Sequence, residues 1–402
     1  GYSEETKPML ETSHGFIPWD DQHHLSLSQT NAEVDGRWLF ANANNTPRVA
    51  RIDLKTFKTV EILELPNSAG NHSSPFLTEN TEYVVAGTRF AVPTDDANGD
   101  VPIDSFKENF KGVLSFIGID QQTGGMDLSF QIEAPGINFD LSHAGKKKSG
   151  DWFFFSCYNS EKANTLLEVN ASQNDKDFIM AVNWKKAAEL VKAGKGRKVT
   201  TEYAHNTWDE STHSATSTMK KEVVVLSVED MKDAMFMIPC PKSPHGCDVD
   251  PTGEYIIGSG KLAALIPVFS FDKMIKAIAD KNFAGEYDGV QVIKYEAALH
   301  GEVQKPGLGP LHTEFDGKGN AYTSMFVSSE VVKWNIKDLK VLDRQPTFYS
   351  VGHLMIPGGD SGKPFGKYLV AYNKITKDRY LPTGPELAQS AQLYDISGDK
   401  MK

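Results

Sequence analysis

The chain has 402 residues with 42 basic and 53 acidic side chains, for a formal net charge of -11. That balance excludes a surface built to hold nucleic acid. No apolar run approaches the ~18 residues that a membrane-spanning helix needs, and three cysteines, Cys157, Cys240 and Cys247, are an odd set that gives no disulfide framework.

Taken in order, the chain is a series of short β-branched and aromatic runs bounded by turn residues. They fall at 38–40, 49–54, 82–86, 112–117, 152–155, 178–182, 222–226, 254–258, 267–272, 321–326, 331–335, 368–372 and 392–396. Such a series predicts many short antiparallel strands. Three stretches predict short surface helices between strands: 184–193, closed by Gly194; 227–236, opened by Ser227 with an acidic first turn; and 272–279. Residues 95–100 are polar, with a glycine misplaced for a calcium-binding loop, and read as a solvated turn. The cysteines read as small buried apolar residues, with a Cys240–Cys247 disulfide or a thiolate ligand as alternatives.

Against this strand plan stand the histidines. His23 and His24 form a doublet. His72, His245, His312 and His353 each sit in a loop rich in glycine, proline, serine or asparagine, just before an apolar run. Tyr83 follows His72 by eleven residues, and Tyr255 and Tyr322 follow His245 and His312 by ten. A loop histidine at a recurring offset before a strand is one position repeated in successive units. Its spacings of 48, 67 and 41 residues, with a gap of 173 between His72 and His245, compare with the roughly 40–50 residues of a four-stranded propeller blade. The expectation is an all-β fold, a single seven-bladed β-propeller over residues 1–402, with three or four blades inside the long gap. Ring closure then buries both faces of every sheet and brings the histidines to the axis.

Six imidazoles at matched positions, with no companion carboxylate in the pattern, exceed the needs of one tetrahedral zinc ion. They suit several ions of a metal that favours nitrogen, copper among them. The competing reading is a metal-free or single-metal propeller acting as a binding scaffold, its water-filled channel lined by histidines. His14, His143, His205, His213 and His300 lack the pattern. His205 and His213 allow a small separate site, but a surface loop is the simpler reading.

At these residues the chain resembles the catalytic β-propeller domain of nitrous oxide reductase. The matching stretches include Asp21-Gln22-His23-His24, Asp35-Gly36-Arg37-Trp38-Leu39-Phe40, Gly70-Asn71-His72, Pro244-His245-Gly246, Gly309-Pro310-Leu311-His312-Thr313, Gly352-His353-Leu354 and Asp395-Ile396-Ser397-Gly398-Asp399-Lys400-Met401. The resemblance implies a tetranuclear copper-sulfide cluster on seven histidines. Six map onto His23, His24, His72, His245, His312 and His353, and the seventh is expected past Lys402. It implies that Lys374 is the lysine at the cluster's open edge. It also implies structural calcium, with Tyr158, Glu161 and Asp175 as ligands, although Ser243 stands where an asparagine is expected. The implied reaction is the two-electron, two-proton reduction of nitrous oxide to dinitrogen and water, in the periplasm. Electrons are expected from a cytochrome or cupredoxin donor through the binuclear copper centre of a C-terminal cupredoxin domain, within a homodimer. That domain is expected beyond Lys402, so this chain alone is expected to be inactive.

Overall fold

The computed structural model describes residues 7–12, 15–16, 22, 24–43, 46–93, 109–159, 176–209, 214–215, 218–373 and 390–402. Their main feature is a ring of antiparallel sheets. Blade I is Leu25–Thr30, Glu33–Ala43, Arg48–Asp53 and Lys58–Glu64. Blade II is Ser73–Leu77, Tyr83–Gly87, Phe110–Ile119 and Met126–Ala134. Blade III is Asn138–Ala144, Trp152–Asn159, Lys176–Asn183 and Met235–Pro241. Blade IV is Pro244–Val249, Tyr255–Gly260, Leu265–Ser270 and Leu299–Gln304. Blade V is Pro310–Phe315, Asn320–Met325, Glu330–Asn335 and Lys340–Pro346. A final three-stranded sheet holds Leu354–Met355, Tyr368–Asn373 and Ser390–Asp395.

The propeller therefore has five full blades among the described residues, and the expectation of seven is corrected. The reason lies in the long gap between His72 and His245. Only two blades start within it, at Ser73 and Asn138. The surplus chain lengthens existing sheets instead. Met219–Leu226 adds to the outer edge of blade II in parallel, and Arg197–Tyr203 pairs with it in turn. His205–Asp209 adds to the outer edge of blade I. Outside that gap, Val290–Ile293, with Phe283–Tyr287 beyond it, adds to blade III in the same way.

Strand alternation builds the core. Along Trp152-Phe153-Phe154-Phe155, successive side chains point to opposite faces. Phe153 and Phe155 pack into a cluster shared with blade II. Trp152 and Phe154 pack into one shared with blade IV. Equivalent clusters join blade I to blade II, blade IV to blade V, and blade V to the final sheet. Aspartates set the turns. Asp250 accepts from Thr252 and Tyr255 N–H at 3.1 and 2.8 Å, and Asp316 accepts from Lys318 and Asn320 N–H at 2.7 and 3.2 Å. These side chains imitate a backbone turn between the first two strands of a blade.

The joint between the final sheet and blade I is polar. Gly362 N–H donates to the Ala32 carbonyl at 2.6 Å, and Lys363 pairs with Glu33 at 3.1 Å. The sheet faces turned away from the apolar clusters there keep Leu25, Leu27, Met355, Tyr368 and Leu393 exposed.

Two of the predicted helices form, Trp184–Lys192 and Phe271–Ala279. Asn183 and Ser270 cap them by accepting from Lys186 and Lys273 N–H. Residues 228–234 form consecutive turns instead. Ser227 and Asp230 make the reciprocal cap, with Asp230 accepting from Ser227 N–H at 2.9 Å and Ser227 Oγ from Asp230 N–H at 3.2 Å. The core captures Met231 and Ala234, and blade III resumes at Met235 before a helix can propagate. All three cysteines are buried and none is disulfide-bonded, so the Cys240–Cys247 alternative is not realised.

Candidate metal centre

Each described histidine of the set stands at the start of a blade's innermost strand. His24 precedes Leu25, His72 precedes Ser73 and His353 precedes Leu354, while His245 and His312 lie within the first three residues of theirs. Irregular pairing accompanies most of these starts. The register shifts between Ser73 and Phe76, between Pro244 and Gly246, and between Pro310 and Thr313. A bulge re-aims the side chains beside it, and here that turns the histidines toward the axis.

The rings meet there. Ring centroids are 4.3 Å apart for His312 and His353, 4.7 Å for His24 and His353, and 4.8 Å for both His24–His72 and His245–His312. The wider spacings are 5.6 Å for His72–His245 and 6.5 Å for His24–His245. Nitrogens of His24, His312 and His353 all lie within 4.8 Å of one another. His24, His72, His245 and His312 are buried, and His353 is half-buried. His245 Nε2 is buried with no hydrogen-bond partner among the described residues. Several imidazolium cations at such spacing would repel strongly in a poorly hydrated centre. A cluster of neutral rings presents lone pairs instead, so the donor set fits a nitrogen-loving metal.

Backbone bonds lock the set. Asn42 Oδ1 accepts from His24 N–H at 2.8 Å, and Asn42 Nδ2 donates to the Asn71 carbonyl at 2.7 Å, tying blades I and II together beside their histidines. Ser324 Oγ accepts from His312 N–H at 3.1 Å and donates to the Gly352 carbonyl at 2.7 Å.

Blade III brings no histidine to the cluster. Its inner strand supplies Asp140, which sequence reasoning missed. Asp140 Oδ1 lies 2.6 Å from His72 Nδ1, and Oδ2 lies 2.7 Å from His245 Nδ1 and 3.0 Å from Lys261 Nζ. Burial works to raise the Asp140 carboxyl, but the neighbouring His245, Lys261 and His72 outweigh it and hold the group well below the usual carboxylate range. The one signal available was positional. Trp152 follows Asp140 by twelve residues, close to the offset that marks the histidines.

His143, set aside in the sequence for lack of pattern, is buried beyond the cluster. The Phe76 ring separates the two, 5.9 Å from His24 and 5.5 Å from His143. His143 Nε2 lies 3.2 Å from Asp360 Oδ1, and burial, then Lys146, lowers its pKa. Nearby, Lys146 Nζ donates to the Val249 carbonyl at 2.5 Å, and burial lowers the lysine's pKa. Burial, followed by the Asp360 charge, pushes the Asp248 and Glu314 carboxyls well above their usual range. This layer is a packed polar floor.

His23, Lys374, Glu161 and Asp175 lie outside the described residues, as do residues 95–100 and His213. Tyr158 is described only as backbone, in Trp152–Asn159. Ser243 donates its N–H to Asp177 Oδ2 at 2.8 Å. His205 does not join the centre, and its Nε2 lies 2.7 Å from Glu61 Oε1 on the outer side of blade I.

Fold and site together define a β-propeller with a histidine-lined axial centre fit to hold metal. The family model described as "Nitrous oxide reductase propeller repeat" matches residues 344–402. The nitrous-oxide reductase of Stutzerimonas stutzeri is 32% identical over 415 residues, an alignment covering 100% of this chain and 59% of that protein. The enzyme of the same name from Pseudomonas fluorescens is 34% identical, with 100% and 59% covered. That from Cupriavidus necator is 31% identical, with 95% and 56% covered. The chain is similar over its whole length to these nitrous-oxide reductases, and it spans 59% of the length of the first two of them.

Proposed function

We propose that the chain forms the catalytic propeller of an oxidoreductase that reduces nitrous oxide to dinitrogen and water with two electrons and two protons. The site would be a tetranuclear copper-sulfide cluster on His23, His24, His72, His245, His312 and His353. One observation carries this reading: five described histidines from five different sheets converge, with eight of their ring pairs 4.3 to 6.5 Å apart. Bound copper would supply electrons and a Lewis-acid site for the substrate oxygen.

The chain's own residues bury the donor atoms, limit water and hold the rings apart at fixed spacing before any metal arrives. Lys374 is proposed as the cation and proton donor beside the substrate oxygen, where charge develops. Calcium is proposed at Tyr158, Glu161 and Asp175, where it would brace blade III. Nitrous oxide is the proposed substrate, with a cytochrome or cupredoxin as electron donor acting through the family's cupredoxin domain and its binuclear copper centre. A homodimer and a periplasmic location are proposed with it. Among the described residues no helix is long and apolar enough to cross a membrane.

The test is anaerobic consumption of nitrous oxide by the copper-loaded full-length protein, its cupredoxin domain included, with a reduced viologen, followed by gas chromatography. Consumption that disappears in His245→Ala supports the reading. A copper-loaded wild type that consumes none overturns it.

A further inference from the structure

The axial cluster draws on every sheet of the ring except blade III, and the residue that blade III places there is an aspartate. Its two carboxylate oxygens are divided. Oδ1 meets His72 Nδ1 at 2.6 Å, while Oδ2 meets His245 Nδ1 at 2.7 Å and Lys261 Nζ at 3.0 Å. Asp140 is 4% exposed. A buried carboxylate is costly unless it is paired and hydrogen-bonded, so this one is retained against a desolvation cost.

The surrounding backbone is clamped to the same end. Ser156 Oγ donates to the His245 carbonyl at 2.6 Å and accepts from Leu141 N–H at 2.8 Å. One hydroxyl thus fixes the residue after Asp140 to the backbone of His245, across the blade III–blade IV joint. Asp140 and His245 are held in register before any ligand binds.

We propose that Asp140 is the positioning residue of the centre, committing His245 to present Nε2 to the metal, with Lys261 as the counter-cation that keeps Asp140 an acceptor. An ionised carboxylate only accepts hydrogen bonds, so the His245 nitrogen facing it carries the proton. The remaining nitrogen, Nε2, is then an unprotonated donor, and it is buried with no hydrogen-bond partner among the described residues. The hydrogen bond also raises the basicity of the ring toward metal. This inference rests on the copper reading above.

The test compares wild type, Asp140→Asn and Lys261→Met as full-length protein. Copper affinity is measured by chelator competition, together with the visible absorption of the loaded centre and the melting temperature of the metal-free protein. Asparagine keeps the shape but removes the charge and turns one acceptor oxygen into a donor; where the amide nitrogen faces His72, that ring keeps only the Asp140 backbone carbonyl, 2.7 Å from its Nδ1. The expected result for Asp140→Asn is a 10- to 100-fold loss of copper affinity with a shifted absorption band. Lys261→Met should show a smaller loss in the same direction. Each variant leaves a partner of this buried ion pair uncompensated, so metal-free melting temperatures should fall in both, and the shifted absorption band in folded protein separates a changed donor set from lost stability. Wild-type affinity and absorption in Asp140→Asn overturn the proposal, and so does a loss that only tracks a fallen melting temperature with the band unshifted. Wild-type affinity in Lys261→Met overturns the counter-cation role. A wild type that takes up no copper overturns the functional reading instead, which keeps the two failures apart.

Discussion

Imidazoles identify themselves in a sequence, and their helpers do not. His24, His72, His245, His312 and His353 were legible because histidine is uncommon, because four of them sit in turn-rich loops before apolar runs, and because His72, His245 and His312 precede a tyrosine by ten or eleven residues. Asp140 was not, since aspartate is ordinary at strand ends and turns. Lys261 and Ser156 were invisible, because they reach the centre only through register between different blades. Lys374 carries the sharpest residue-scale prediction. In the copper-loaded enzyme, Lys374→Ala should leave copper content near normal and lower turnover by about 10²–10³, the usual effect of removing one preorganised charge or donor. Lys374→Arg should retain more activity than the alanine variant. Wild-type turnover in Lys374→Ala would return this lysine to the solvated surface.

Asp35 offers a residue-scale test of the blade I hairpin. It accepts from Ser28 Oγ at 2.5 Å, Thr30 Oγ1 at 2.8 Å and Arg37 Nε at 2.9 Å. Partial burial works to raise its carboxyl, but Arg37 and the two hydroxyls outweigh this and hold it below the usual value. A depressed native pKa contributes stability that is present above the unfolded value of about 3.9 and is lost as pH falls through the native one. Asp35→Asn should therefore melt below wild type at neutral pH, with the gap closing on acidification below about pH 4. A gap that does not change with pH would show that Asp35 acts through shape alone.

At the scale of elements, strands were far more legible than helices. The run Trp152-Phe153-Phe154-Phe155 could only be a strand buried on both faces, and it is one. Residues 227–236 carried a sound helix start, yet Met231 and Ala234 are worth more in the core than a helix of that length is in isolation. The inner strands are the elements on which the centre depends, and Gly246 shows how closely they approach. A Cβ there would lie 2.6 Å from the Leu311 carbonyl oxygen and 2.7 Å from Asp248 Oδ2. Gly246→Ala should push blade IV from blade V, widen the His245–His312 spacing and cost about 1–3 kcal/mol by overpacking. Chemical denaturation and copper titration of the variant would check both effects. Wild-type stability with wild-type copper uptake would show that the inner strands are free to shift.

For the whole molecule, the repeated strand plan revealed a propeller but not its count of blades. A fixed period of roughly 40–50 residues per blade overcounts the blades, because the chain does not spend its residues evenly. Strands 197–203, 219–226 and 205–209 extend the outer edges of sheets already begun, where additions leave the axis undisturbed. The histidine positions were robust to that miscount, because each is fixed by the start of an inner strand and not by the length of a blade. The central claim is that these inner strands assemble a multi-copper centre. Its most direct test is copper and acid-labile sulfide analysis of the full-length protein purified without oxygen, beside His245→Ala and His312→Ala variants. The account predicts copper at the ratio of a tetranuclear cluster with sulfide present in wild type, and loss of both in each variant. A wild type holding no copper, or a single metal ion without sulfide, would contradict it.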